Sequence, residues 1–192
     1  MTTFTNCNNW NLLPVATNVR GVRSAAITCE NSAPVKLLLG PTHAPFGAGS
    51  FQPEEKIRLN LDLTCTEVYT KMLSVIDAWV IGRLAADPMG YFKKPMSLAE
   101  IKSIYKASST PHSKNGVEYS DTMRTKLNME GPKVVKCWTP EKVSRALPLD
   151  WRGCTLKPIV LVRGVWFMSG QCGITFETQH CTVEEEDLEC PF

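Results

Sequence analysis

The chain has 192 residues and a formal net charge of +2, with 43% hydrophobic and 21% charged residues. This composition is typical of a globular domain that buries a core, and no apolar run approaches the roughly 18 residues needed to span a bilayer. The N-terminal stretch has neither an early basic residue nor a continuous apolar run, so it does not resemble a secretory signal. We therefore expect an intracellular protein, in the nucleus or the cytoplasm.

The first third of the chain predicts short strands. Residues 1–19 are polar with scattered apolar side chains, which predicts an N-terminal arm. Two short strands are predicted at 24–31 and 34–40, followed by a loop rich in proline and glycine at 41–53. The segment 56–63 alternates strictly between apolar and polar residues and predicts a strand with one buried face.

One long helix is predicted after this strand, over 64–86. Thr64 and Glu67 have the spacing of a capping box, apolar residues then recur at helical spacing, and Asp87-Pro88 ends the helix. Residues 88–121 predict an insertion, in which Ser97 and Glu100 form a second capping box that opens a short helix. Beyond Ser108, a polar loop is predicted through Asn115-Gly116.

The last third is predicted to be rich in strands. Candidate strands lie at 122–129, 133–138, 154–170 and 173–183, and the last two form a hairpin over Ser169-Gly170-Gln171. The whole pattern predicts a mainly β fold with inserted helices (α+β). Its natural closure is an OB-fold-like five-stranded barrel with a helix between strands 3 and 4. The predicted domain spans 20–183, and an acidic C-terminal tail spans 184–192.

The sequence contains no recognisable catalytic or metal-binding motif. The glycine-rich "GAGSF" at 47–51 lacks the Gly-Lys-Ser/Thr of a phosphate-binding loop, and there is no G-x-S-x-G or H-E-x-x-H. The eight cysteines form no C-x-x-C pair, and without a secretory context we expect reduced thiols. We therefore predict a protein that is not an enzyme and that has no cofactor and no metal site.

Charge is distributed unevenly along the chain. All 21 Lys and Arg lie in residues 1–183, and the same part of the chain contains 14 acids, so its formal net charge is 21 − 14 = +7. The last nine residues contain five acids and no base. This asymmetry predicts a body that binds a polyanion and a tail that binds another partner or competes for the same groove.

Lys and Arg alternate with large aromatic residues between positions 91 and 166. Single-stranded nucleic acid is bound by both types, because cations neutralise phosphates and flat rings stack on unpaired bases. By alternation, Arg124 and Lys126 share one face of strand 122–129, whereas Trp79, Trp166 and Phe167 lie in apolar runs that predict core positions. The candidate nucleic-acid-binding residues are Tyr91, Phe92, Lys93, Lys94, Lys106, Lys114, Tyr119, Arg124, Lys126, Lys136, Trp138, Trp151 and Arg152.

A basic β-rich body followed by an acidic segment ending in Pro-Phe resembles the single-stranded-DNA-binding proteins of bacteria. An OB domain with a helix between strands 3 and 4 and an acidic tail ending in Phe is closer to the phage replication type, and similar proteins occur in large nucleocytoplasmic DNA viruses. The matching features are "EEEDLECPF" at 184–192, the helix at 64–86 and the basic, aromatic middle. The chain departs from the bacterial pattern because it has no long Gly/Gln-rich linker, and the insertion at 88–121 fits neither group.

The resemblance implies a protein that coats single-stranded DNA without sequence preference in replication, recombination or repair, including in a virus-infected cell. It also implies a tail that competes for the DNA groove and, when freed, recruits polymerase, primase or helicase. In phage relatives the tail supports dimerisation, which implies a homodimer. The tail residues concerned are Glu184, Glu185, Glu186, Asp187, Glu189 and Phe192. Two alternatives remain, an RNA-binding OB-fold protein and a non-catalytic structural or interaction protein.

Overall fold

The computed structural model describes residues 6–49 and 57–184, in which thirteen strands and three helices are found. The strands are β1 (Trp10–Thr17), β2 (Arg23–Cys29), β3 (Val35–Leu38), β4 (Thr42–His43), β5 (Ala48–Gly49), β6 (Arg58–Thr64), β7 (Tyr105–Lys106), β8 (Ser109–Lys114), β9 (Val117–Asn128), β10 (Lys136–Trp138), β11 (Ser144–Arg145), β12 (Thr155–Met168) and β13 (Gln171–Glu184). The helices are α1 (Glu67–Ala86), α2 (Pro88–Phe92) and α3 (Leu98–Ile104). The predicted mainly β fold with inserted helices is confirmed.

The hairpin of β12 and β13 is the centre of the sheet. Met168 pairs with Gln171, and the two turn residues Ser169 and Gly170 have φ of 52° and 74°, as a tight two-residue hairpin turn requires. The free edge of β12 pairs with β2, β3 and β4, while the free edge of β13 pairs in parallel with β7, β9 and β10. Nearly every other strand is therefore anchored to this hairpin, directly or through one neighbour.

The remaining strands extend the sheet on both sides of the hairpin. β1 pairs with β2, β9 pairs with β6 and β8, β6 pairs with β5, and β10 pairs with β11. The main path of neighbouring strands runs β1-β2-β12-β13-β9-β6-β5. As the alternation of β6 predicted, Leu61 and Leu63 face the core and are almost fully buried.

Helix α1 covers the core with one stripe of side chains. Leu73, Ile76, Val80 and Leu84 are fully buried at spacings of three and four residues, which places them on one helical face. The helix begins later than predicted, because the side chain of Thr66, and not that of Thr64, accepts the first capping hydrogen bond, from the backbone N of Tyr69 (3.3 Å). Within the described residues, no helix is long and apolar enough to cross a membrane.

The predicted N-terminal arm contains a strand. Residues 10–17 form β1, which pairs with β2. Its first residue, Trp10, packs edge-on against Trp79 of α1 with ring centroids 5.7 Å apart. Its apolar residues do not alternate regularly, and Pro14 lies at a shift in the register, so its signal in the sequence is weak. The tertiary contact of the Trp10 ring holds the strand to the body.

The insertion at 88–121 is more ordered than predicted. The capping box is confirmed, since Ser97 N donates to Glu100 Oε2 (2.7 Å) and Glu100 N donates to Ser97 Oγ (3.3 Å). The predicted polar loop is wrong, because β8 and the start of β9 form a hairpin there. Its turn is Asn115-Gly116, with φ of 53° and 77°, and this dipeptide favours a tight hairpin turn.

The predicted loop at 41–53 also contains strands. Short β4 pairs with β12, and short β5 pairs with β6. Two residues per strand are too few to give a periodic signal in the sequence. The end of this loop and the residues as far as 56 lie outside the described part of the chain.

Candidate nucleic-acid interface

The sheet has a core face and an outer face. Along β12, Val160 and Val162 are buried in the hydrophobic core, so Leu161 between them projects from the opposite side. We call that opposite side the outer face and follow it by the register of the paired strands, because directly paired residues project from the same face.

Three rows of paired residues define the outer face. The central row crosses five strands and contains Lys36, Leu161, Glu177, Lys126 and Asn60. On one side of it, a second row contains Leu38, Ile159, His180 and Lys136. On the other side, towards the tip of the β12–β13 hairpin, a third row contains Ser24, Trp166, Gly173 and Lys106.

Cations dominate this face. Four of them, Lys106, Arg124, Lys126 and Lys136, are among the candidates predicted from the sequence. The other four lie on β3, β6 and β12, strands on which the sequence predicted no candidate residue. The eight cations of the outer face are Lys36, Arg58, Lys106, Arg124, Lys126, Lys136, Lys157 and Arg163.

A buried carboxylate holds two of these cations in place. Glu177 is 5% exposed and accepts two hydrogen bonds from Arg163, from Nε at 3.0 Å and from Nη2 at 2.9 Å. Arg58 Nη2 lies 3.7 Å from the same carboxylate. Such a two-pronged Arg–carboxylate contact fixes the plane of the guanidinium, so Arg163 is presented in one orientation.

Arg124 is also held by an acid on a neighbouring strand. Its Nε and Nη2 donate to the two carboxylate oxygens of Asp62, at 2.8 Å and 2.9 Å. This bidentate contact raises the pKa of Arg124 further above its usual value, so the side chain stays charged. A phosphate group can still approach, because about half of the Arg124 side chain remains exposed.

The lysines of the face are crowded and less compensated. Burial, and after it the charges of Arg58 and Arg124, lower the pKa of Lys126, whose Nζ donates to Asn60 Oδ1. Burial, followed by the charges of Lys136 and Lys36, likewise lowers the pKa of His180. Among the described residues, no acid lies within ion-pair distance of Lys36, Lys106 or Lys136. Like charges held this close create a positive potential that an anion would relieve.

Trp166 lies on the outer face, which corrects its predicted core position. The neighbours Val165 and Phe167 are buried, and alternation turns Trp166 the other way, where it is partly exposed. A Cβ on Gly173 would lie only 3.0–3.1 Å from three atoms of the indole, so the ring lies directly over this glycine. The missing side chain of Gly173 therefore makes room for a flat aromatic surface beside Lys106.

Trp138, another of the predicted candidates, provides a second aromatic group on this face. It is partly exposed, and its Nε1 donates to Nδ1 of His180 at 3.4 Å, with the two ring centroids 6.3 Å apart. Its strand, β10, places Lys136 on the same face two residues earlier. Trp138 and Trp166 thus lie on either side of the central row.

Two predicted aromatic residues are not available for stacking. Tyr91 and Trp151 are 9% and 3% exposed and belong to the core. Tyr91 stacks on Phe167 at 6.4 Å and donates its hydroxyl to the carbonyl of Leu12 (3.3 Å), because α2 packs between β1 and the hairpin tip. Their prediction as exposed rings is wrong.

The other predicted residues are not part of the three rows that define the outer face. Phe92 and Lys94 line a pocket beside the tip of the β12–β13 hairpin, and Lys93 caps α2 with φ of 62°. Lys114 and Tyr119 belong to the β8–β9 hairpin, where Tyr119 is 56% exposed. Arg152 is exposed in the turn before β12, where its backbone N donates to Asp150.

The predicted tail begins at one end of the outer face. The side chain of Glu184, the last residue of β13, forms an ion pair with that of Lys157 on β12. Glu185, Glu186, Asp187, Glu189 and Phe192 lie outside the described residues. The chain thus enters the tail beside a cation of the outer face.

No protein-family model matches the sequence, and no curated protein matches it either. Solved structures do match the fold. The single-stranded DNA-binding protein from bacteriophage Enc34 in complex with single-stranded DNA is similar over 92% of this chain and 97% of that chain, with a TM-score of 0.52 and 10% identity. A C-terminal truncation of the phage protein is similar over 92% of this chain and 96% of that chain, with a TM-score of 0.50 and 11% identity.

The fold is shared. At identities this low the likeness concerns the path of the backbone, since about nine residues in ten differ between the chains. What the outer face binds therefore depends on its own residues.

Proposed function

We propose that this protein binds single-stranded DNA without sequence preference, along the outer face. The observation that carries the proposal is the combination on one face of crowded, incompletely compensated cations with two partly exposed tryptophans, Trp138 and Trp166. Cations bind the phosphates of any sequence, and every base has a flat face for stacking. Double-stranded DNA has no unpaired bases to offer these rings, so the face suits single strands better.

The shape of the sheet supports an OB-like barrel, which is the finer form of the predicted fold. From β12, neighbouring strands lead through β13 and β9 to β6 and β5. Residues 42–49 then join β5 to β4, which pairs with the start of β12. The chain, although not a strand pairing, thus links the far end of this path to the start of β12. Helix α1 lies between β6 and β9 in the chain, as the helix of an OB-fold does. The similarity in fold to the phage protein bound to single-stranded DNA supports the same assignment.

The function is tested by titrating labelled oligo(dT) with the protein at low and moderate salt. We expect tight binding whose logarithm falls linearly with the logarithm of the salt concentration, because each neutralised phosphate releases counterions. An RNA oligomer of the same sequence pattern and a DNA duplex serve as matched competitors. Equal or stronger binding to RNA would favour the alternative of an RNA-binding protein. The absence of any salt-sensitive binding would favour a structural or interaction protein.

We propose further that the acidic tail competes with DNA for the outer face and, once displaced, recruits replication proteins such as polymerase, primase or helicase. The ion pair of Glu184 with Lys157 supports this proposal, because the tail then begins beside the cations that it would cover. A role in replication, recombination or repair and a homodimer, in which a tail reaches a second copy, belong to the same proposal.

Deleting residues 185–192 is expected to tighten oligo(dT) binding by about fivefold at low salt, because a competing polyanion is removed. The gain should shrink as salt rises, since salt screens the competition. The matched control keeps the tail length and changes its four acids beyond Glu184 to Gln or Asn, and it should give the same gain. Unchanged or weaker DNA binding in both variants would exclude competition by the tail.

A further inference from the structure

The tip of the β12–β13 hairpin borders a pocket of about 340 Å³. This volume is at the small end of the range of roughly 300–1,000 Å³ that is typical of small-molecule sites. The hairpin residues 168–171 form one side, and the helical insertion forms the other with Phe92, Lys94, Met96 and Ile104. The pocket therefore lies between the central hairpin and the insertion at 88–121.

Aromatic rings form a rigid wall in this pocket. Phe92 meets Phe167 edge to face with ring centroids 5.5 Å apart, and Tyr91 stacks on Phe167 at 6.4 Å. Phe92 remains partly exposed, while Tyr91 is buried. The apolar side chains of Met96 and Ile104 continue this wall. A flat, apolar group can be accommodated there without a change of the core.

Two cations also line the pocket, and among the described residues no acid does. The Arg23 guanidinium lies 5.6 Å from the ring centroid of Phe167, and its Nη2 donates to the carbonyl of Tyr91 at 2.6 Å. These two contacts hold the guanidinium in place while its other N–H groups stay available as donors. Lys94 is exposed and can move towards an anion. The ligand that fits is a flat apolar ring that carries an anion, and the volume limits it to one such unit.

The pocket is continuous with the outer face. Trp166 and Met168 project from the same side of β12, and Met168, which is 63% exposed, lines the pocket. From Arg163 to Met168 the strand advances by five residues, or about 17 Å at the usual rise per residue. A nucleic-acid strand that follows the outer face towards the hairpin tip would pass Trp166. The third row, which it crosses there, contains Lys106 and no acidic residue.

We propose that this pocket holds one unstacked nucleotide of the bound strand, with its base against Phe92 and its phosphate between Arg23 and Lys94. The inference rests on the proposed function, which it extends by a site for a single nucleotide at one end of the strand. A free mononucleotide has the same chemistry as a nucleotide of the strand, so the experiment must separate these two sources.

The experiment compares Phe92→Leu and Lys94→Gln with the wild type in titrations with oligo(dT). Lys102→Gln is the matched control, because it removes the same charge from an exposed position on α3 that does not line the pocket. We expect Phe92→Leu to weaken binding by about tenfold because one base can no longer stack on the ring. Lys94→Gln should lower the salt slope by about 0.7, the value for one phosphate of a single strand. Lys102→Gln should change neither quantity.

A second titration, with thymidine monophosphate, identifies the source of the nucleotide. If the pocket holds a nucleotide of the strand, prior binding of oligo(dT) should block the mononucleotide, and Lys94→Gln should weaken its binding. Simultaneous binding of both ligands would overturn the proposal in favour of a separate mononucleotide site.

The failure of this inference can be told from a failure of the proposed function. If oligo(dT) binds the wild type, Phe92→Leu and Lys94→Gln equally well, the pocket does not hold the strand, although the outer face still does. If the wild type does not bind oligo(dT), the proposed function itself is wrong. Lys94 is exposed, so Lys94→Gln should fold normally even if Phe92→Leu is destabilised, and thermal unfolding of each variant checks this point.

Discussion

Replacing Trp166 with alanine is expected to weaken oligo(dT) binding by about 30-fold, the equivalent of about 2 kcal/mol for one base that no longer stacks on an aromatic ring. The indole lies over Gly173 beside Lys106 and remains partly exposed. It therefore presents a ring surface in the third row of the outer face, next to the tip of the β12–β13 hairpin. Fluorescence anisotropy of a labelled oligomer measures the change in affinity. The salt slope should stay unchanged, because stacking releases no counterions.

Two further variants separate stacking from a general disruption of the structure. Trp166→Phe keeps a smaller ring and should recover most of the affinity. Gly173→Ala keeps the indole of Trp166 but places a methyl group 3.0 Å from the nearest atom of that ring. The ring must therefore shift, and we expect an affinity between that of the wild type and that of Trp166→Ala. If Trp166→Ala binds as tightly as the wild type, the strand does not cross this part of the outer face.

The second large effect concerns charge. The double variant Lys126→Gln with Lys136→Gln should lower the salt slope of oligo(dT) binding by about 1.4, that is by about 0.7 for each phosphate that is no longer neutralised. At low salt the affinity should fall by at least about tenfold, since the neutralisation of phosphates is among the main sources of affinity. Both lysines lie on the outer face, Lys126 in the central row and Lys136 in the second row.

The control is the double variant Lys71→Gln with Lys102→Gln, which makes the same change in net charge on the exposed surfaces of α1 and α3. It should leave the slope nearly unchanged. The stability of the outer-face variant should not fall, because burial and the neighbouring arginines already disfavour the charged form of Lys126, as its lowered pKa shows. Equal slopes for the two double variants would mean that only net charge matters and that the binding site is not on the outer face.

Local patterns in the sequence predicted a substantial part of this arrangement. The alternation at 122–129 placed Arg124 and Lys126 on one face, and the structure shows both on the outer face. The capping box of Ser97 and Glu100 needs only four consecutive residues, and it is present. The hairpin turn at Ser169-Gly170 is equally local. Features whose cause lies within a few residues could therefore be predicted.

Features that depend on distant partners could not. Arg163 reaches the outer face beside a shift in the β12–β13 register, between Val162 and Gly164, which simple alternation does not reveal. Its orientation is set by Glu177, which also holds Arg58 from a strand more than a hundred residues away in the sequence. Tyr91 stands beside charged residues in the sequence, yet it is buried because α2 packs against β1 and the hairpin tip.

The central position of the β12–β13 hairpin has a consequence for how the chain acquires its structure. The strands described before residue 155 are made first, but β3, β4 and β7 pair only with residues 155–184 among the described strands. Strands β2, β9 and β10 have earlier partners, yet one edge of each also pairs with residues 155–184. The hairpin has a two-residue turn and can form quickly by itself, whereas the strands that join it close long loops, which is slow. During synthesis, the earlier part of the chain must therefore wait, with its strand edges unpaired, until the hairpin has left the ribosome. Chains that end before residue 155 should depend on chaperones and be degraded rapidly in the cell.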